Sequence, residues 1–153
     1  MNSALRLVSD SAPPGNGNGM GSGHGHAAKP GNGSERRPTL LLVEYEILTR
    51  LAAADFLRNR GYRVLEASTS GEALAVFAAG EPIELVFSDM DVPGNMNGAA
   101  LAQWIRRQFP DVKILLTSAK SGTKDASGFY ATFLRKPYAH ESLLAQIRQM
   151  LMH

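Results

Sequence analysis

The sequence predicts an α/β fold built on a parallel sheet, and three observations carry the prediction. Short, continuous apolar runs recur through residues 39–153. Most are followed by a segment with helical apolar spacing. Glycines and capping residues mark several of the boundaries. Strands alternating with helices in this way imply right-handed crossover units and a parallel sheet.

Each element has its own signal. Leu40-Leu41-Leu42-Val43 is an unbroken apolar run, as expected of a strand buried on both faces. Ile47 to Arg60 carries Leu48, Leu51, Ala52 and Phe56 at helical spacing and ends at Gly61, a C-cap signal. Tyr62-Arg63-Val64-Leu65 reads as the second strand. Thr69 or Ser70 caps a helix bearing Ala73, Leu74 and Phe77, which Gly80 ends. Glu84-Leu85-Val86-Phe87-Ser88 is the third strand, and a loop with Pro93-Gly94 follows. Residues 98–108 form a helix with Leu101, Trp104 and Ile105 inward. Val112 to Leu116 and Ala131 to Leu134 are the fourth and fifth strands. Leu143, Leu144, Ile147, Met150 and Leu151 stripe a terminal helix. Five such strands suit the flavodoxin-like order 2-1-3-4-5 with helices on both faces.

Composition limits the function classes. The chain has 153 residues and no cysteine, which excludes disulfides and thiolate metal sites. No apolar run is long enough to span a membrane, and Met1 to Asp10 lacks the sustained apolar core of a signal peptide. A cytoplasmic location is the expectation. Residues 1–38 hold 8 of the 15 glycines and 4 of the 8 prolines, which predicts a flexible tail ahead of one domain over 39–153. The net charge of +2 lies wholly in that tail. The remainder is neutral, so no strongly basic nucleic-acid footprint is expected.

In a flavodoxin-like sheet the site forms beyond the carboxyl ends of the strands. Glu44-Tyr45-Glu46 follows the first strand, Asp89 the third, Thr117-Ser118-Ala119 the fourth, and Lys136-Pro137 the fifth. Carboxylates, a hydroxyl and an amine therefore converge on one edge. A carboxylate there can attack a phosphoryl group and become an acyl phosphate. Neighbouring acids can hold Mg²⁺, and a hydroxyl and a lysine can bind phosphoryl oxygens.

Four stretches together resemble the response-regulator receiver family (CheY-like), over roughly residues 39–152. They are Leu41-Leu42-Val43-Glu44-Tyr45-Glu46, Leu85-Val86-Phe87-Ser88-Asp89-Met90-Asp91-Val92-Pro93-Gly94, Leu116-Thr117-Ser118-Ala119 and Phe133-Leu134-Arg135-Lys136-Pro137-Tyr138. The resemblance implies that Asp89 accepts phosphate from a histidine kinase or a phosphotransfer protein. It implies a Mg²⁺ site made by Asp89, Glu44 and the backbone carbonyl of Asp91. Ser118 becomes the switch hydroxyl, with Thr117 as the register alternative. Lys136 contacts the phosphoryl group ahead of a cis bond to Pro137. Phe133 takes the aromatic switch position.

The sequence departs from that pattern in three places. Tyr45 stands where the family has a second acid, and a phenol is a poor ligand for a hard cation. A weakened Mg²⁺ site follows, with the longer side chains of Glu44 or Glu46 as the alternative source of a second carboxylate. Between Ala119 and Phe133 no helical stripe is present, so the helix between the fourth and fifth strands is expected to be shortened or absent. The loop Gly94-Asn95-Met96-Asn97-Gly98 is about one residue longer than usual and resembles a subgroup with a Pro-Gly-Ser-Met-Asp-Gly loop.

The leading expectation is a stand-alone, non-enzymatic receiver in a bacterial phosphorelay, acting through protein contacts. Tyr45 and the missing helix motivate a second reading, a phosphorylation-independent interaction module. A third is an aspartate-nucleophile phosphatase of the haloacid-dehalogenase type, suggested by the Asp89-Met90-Asp91 pair. That family needs a further acidic pair after the lysine, whereas only Glu141 follows Lys136 here.

Overall fold

The computed structural model describes residues 36–119 and 131–152. The expectation of a flexible tail falls almost wholly, and that of a shortened helix before the fifth strand mostly, outside the described residues. The elements run β1 (Thr39–Val43), α1 (Ile47–Arg58), β2 (Arg63–Ala67), α2 (Ser70–Ala78), β3 (Leu85–Asp89), α3 (Gly98–Gln108), β4 (Lys113–Ser118), β5 (Thr132–Arg135) and α4 (His140–Leu151). All strand pairs are parallel and the sheet order is β2-β1-β3-β4-β5, as the sequence predicts.

Strand residues alternate between faces, and each face builds its own core. Leu41, Val43, Val86, Ile114 and Leu116 pack with Ala73, Val76 and Phe77 of α2 and with Leu101, Ala102 and Ile105 of α3. Leu40, Leu42, Leu85, Phe87 and Leu115 pack with Ala53, Ala54 and Leu57 of α1 and with Leu143, Leu144 and Ile147 of α4. All five residues of β1 are buried, which is why that strand reads as a continuous apolar run.

The caps explain where helices start and stop. The Glu46 carboxylate accepts the Leu48 and Thr49 amides at the start of α1, at 3.2 and 2.7 Å. Of the two candidates before α2, Thr69 is the cap and accepts the Glu72 amide at 3.1 Å. Gly61 and Gly80 follow α1 and α2 with φ of 94° and 76°, the left-handed geometry that favours glycine.

Several boundaries move relative to the sequence reading. Tyr62 is not in β2, because its amide bonds to the Leu57 carbonyl and closes the end of α1. Strand β2 instead runs on to Ala67, which pairs with Val43. Strands β3, β4 and β5 likewise extend one or two residues further, to Asp89, Ser118 and Arg135. Hydrophobicity marks the middle of a strand, while backbone pairing carries on into the polar residues at its end.

Candidate functional site

The carboxyl edge gathers one residue from each of three strand ends. Glu44 follows β1, and its amide bonds to the Ala67 carbonyl at 2.9 Å. Asp89 is the last residue of β3. Lys136 follows β5, and its amide bonds to the Ser118 carbonyl at 3.0 Å. The Lys136–Pro137 peptide is cis.

The three side chains meet. The Lys136 ammonium donates to both Glu44 oxygens, at 3.3 and 3.4 Å, and to Asp89 Oδ2. The Asp91 amide donates to Asp89 Oδ1 at 2.8 Å. Glu44 is only 6% exposed. Burial and a hydrogen bond shared with Asp89 push its carboxyl up to about 7, against the opposing pull of Lys136. For Asp89, burial works upward, but hydrogen bonds from Lys136, the Asp91 amide and Glu44 prevail and hold it below the usual range. Lys136 is opposed by burial too, yet the two carboxylates raise it. The pair thus holds its negative charge on Asp89, with an ammonium against it.

The other expected residues fall in defined places. Ser118 ends β4 and is buried. Thr117 pairs with Asp89 in the sheet register, and the Met90 amide bonds to its carbonyl at 2.9 Å. Its Oγ1 is buried without a hydrogen-bond partner. Phe133 is partly buried against the α2/α3 face of the core. Tyr45 lies outside the cluster and is 66% exposed. The carboxylate of Glu46, offered by the sequence as a further metal ligand, accepts the Leu48 and Thr49 amides at the start of α1.

Three residues contribute to the site or its surroundings in ways the sequence reading did not assign. Arg50 donates to the Glu44 carbonyl at 2.8 Å. Ser70 accepts the Met96 amide at 3.3 Å, while its own amide bonds to Pro93 O at 3.1 Å, so the loop after β3 is fastened to α2. Tyr138 packs edge-on to Phe87, and burial pushes its phenol up to about 12. Only Tyr138 left a signal, as an aromatic directly after Lys136-Pro137.

Among the described residues no three His, Cys, Asp or Glu side chains are grouped to hold a metal ion. Glu44 and Asp89 still offer two carboxylates, and Asp91 lies beside them. Mg²⁺ is usually held by one or two carboxylates with water completing the shell, so this donor set fits a sparsely held Mg²⁺.

An acid-and-lysine cluster at the carboxyl edge of a 2-1-3-4-5 sheet defines the class: a flavodoxin-like domain with an edge site. Comparison with known proteins names the family. Residues 40–148 match the response regulator receiver domain, and the chain belongs to that family. It is 33% identical over 118 residues to the sensor kinase CckA of Brucella abortus strain 2308, covering 74% of this chain and 12% of that protein. It is 28% identical over 117 residues to the aerobic respiration control protein ArcA of Escherichia coli K12, covering 74% of this chain and 48% of that one. The chain therefore spans less than half the length of these relatives. The crystal structure of the signal receiver domain of an HD domain-containing protein from Pseudomonas fluorescens Pf-5 superposes with a TM-score of 0.71 at 28% identity, over 77% of this chain and 97% of that one. Phosphorylation on aspartate is general to the receiver family, which is a signalling and generally non-enzymatic family, and its members typically bind Mg²⁺ at the phosphorylation site. No helix among the described residues is long and apolar enough to cross a membrane.

Proposed function

We propose that Asp89 accepts a phosphoryl group from the phosphohistidine of a histidine kinase or phosphotransfer protein, and that the chain signals through protein contacts. The observation that carries the reading is the Lys136 ammonium lying between Asp89 and Glu44. Asp89 is ionised and free of a proton that would have to leave, which suits it to attack. An Asp89 carboxylate oxygen bonds to phosphorus, the phosphorus–nitrogen bond to the donor imidazole breaks, and the imidazole leaves with the electron pair. Lys136 follows the transferred oxygens and offsets their charge. Ser118, whose carbonyl receives the Lys136 amide, is the hydroxyl that closes on the phosphoryl group. Glu44, Asp89 and the Asp91 carbonyl are the groups that would hold Mg²⁺, which when bound neutralises charge between carboxylates and donor.

A cavity of about 570 Å³ borders Lys136, between Thr49 and Ala52 of α1 and Tyr138 and His140 beyond β5. It meets the cluster at Lys136. Phosphorylation adds about −1.5 to −2 charges if Asp89 behaves like other phospho side chains. The test is incubation with acetyl phosphate and Mg²⁺, read by intact mass. The expected result is a gain of one phosphoryl group that Asp89→Asn abolishes. A second reading, a phosphorylation-independent interaction module, draws on the exposed Tyr45 in place of an acid. No mass gain on the parent chain would favour it.

A further inference from the structure

The peptide that leaves β1 is held by a side chain outside the cluster. Strand pairing reaches Glu44, whose amide still bonds to Ala67. The chain then turns through Tyr45 and Glu46 into α1. Arg50, one turn into that helix, donates Nη1 to the Glu44 carbonyl at 2.8 Å and to the Tyr45 carbonyl at 3.5 Å. Its Nε donates to Glu66 Oε1 at 3.3 Å. Glu66 lies on β2 opposite Leu42, and its second oxygen accepts from Arg58 at 3.0 Å. The Arg50 side chain is 15% exposed. A planar guanidinium tied on both sides acts as a rigid fork.

Such a fork holds the Glu44 carbonyl and lies close to the Tyr45 carbonyl. It thereby fixes the directions of the side chains beside them. The outcome is a division: Glu44 is 6% exposed and reaches Lys136, whereas Tyr45 is 66% exposed. With Tyr45 outside and Glu46 spent on the helix cap, Glu44 is the one side chain of this turn that meets Asp89. Its aim therefore matters more than it would beside a second acid.

We propose that Arg50 is a positioning residue, turning the Glu44 carboxylate toward Asp89 and so setting how tightly the pair holds a divalent cation. The proposal rests on the site reading above for its use, and on the Arg50 and Glu66 hydrogen bonds for its geometry.

The test is a Mg²⁺ titration of the full chain, followed by amide chemical shifts of Asp89 and Asp91, for the parent, Arg50→Met and Arg50→Lys under conditions where all three are folded. Groups that orient a metal's ligands typically contribute 10–100-fold in affinity, so Arg50→Met should bind about tenfold more weakly. Arg50→Lys can still reach a carbonyl but lacks the fork, so its affinity should fall between that of Arg50→Met and the parent. A loss of stability alone would not move the midpoint measured on folded protein. Parental affinity in Arg50→Met overturns the proposal. So does equal weakening in the two variants, and so does a parent chain that shows no response. Acetyl phosphate labelling of the parent reads the phosphoacceptor role separately, so the two can fail independently.

Discussion

At the scale of single residues, the site is a balance between two carboxyls and one ammonium. Glu44 has a folded-state value of about 7 against an ordinary 4.5, set first by burial and then by its hydrogen bond to Asp89. A raised carboxyl contributes stability that is full below its unfolded value and lost as pH climbs through the folded one. The metal-free chain should thus lose stability as pH rises from 4.5 toward about 7. Glu44→Gln should flatten that decline, read by urea unfolding at about pH 5 and about pH 8; an unchanged slope would show that Glu44 is not the group responsible. Asp89 is depressed, so its own contribution is lost only at lower pH and does not mask this window. Thr117 makes a different prediction. A buried hydroxyl with no partner carries a desolvation cost of about 1–3 kcal/mol, and Val has nearly the same shape. Thr117→Val should raise unfolding stability by about 1 kcal/mol, whereas a loss of that size would mean the hydroxyl is satisfied. The acids and the lysine were legible because they follow apolar strands in order. The roles of Arg50 and Ser70 were not, because a side chain bonded to a backbone carbonyl or amide in a loop leaves no pattern in sequence.

At the scale of elements, the phosphoacceptor candidate is held by close packing as well as by charge. Gly98 opens α3, and its amide bonds to the Met90 carbonyl at 2.9 Å. A Cβ there would sit 2.2 Å from the Asp89 carbonyl oxygen and 2.5 Å from Met90 Cα. Both are backbone atoms, so they cannot swing aside. Gly98→Ala should therefore destabilise by about 1–3 kcal/mol and slow labelling at Asp89. Wild-type stability with wild-type labelling, read by urea unfolding and intact mass, would contradict the packing argument. Gly94 shows the same device in the loop, with φ of 124° and Ser70 Oγ 2.3 Å from where a Cβ would stand. This is how the longer loop is fitted against α2. Helices and strands were legible from apolar spacing, and Gly61 and Gly80 marked two ends correctly. The strand ends were not, because β3, β4 and β5 continue into Asp89, Ser118 and Arg135, where pairing outlasts hydrophobicity.

At the scale of the whole molecule, the fold was legible because β1 is interior to the sheet and buried on both faces. Leu40 and Leu42 serve one core and Leu41 and Val43 the other. One strand therefore ties two helical layers together. Leu41 is fully buried, and Leu41→Ala should cost about 2–5 kcal/mol, a large share of a typical domain's stability of about 5–15 kcal/mol. A fall of less than about 1 kcal/mol in urea unfolding would mean that the α2/α3 face tolerates the cavity. The same interior strand delivers Glu44 to the site, so core and chemistry share one support. We propose that the neighbouring strand β3 presents Asp89 beside it for phosphorylation. The most direct measurement is chemical: label the chain with acetyl phosphate, reduce the acyl phosphate with borohydride, and map the converted residue by peptide mass. The prediction is homoserine at Asp89 and at no other acid. Conversion at Glu44 or Asp91, or none at all, would contradict it.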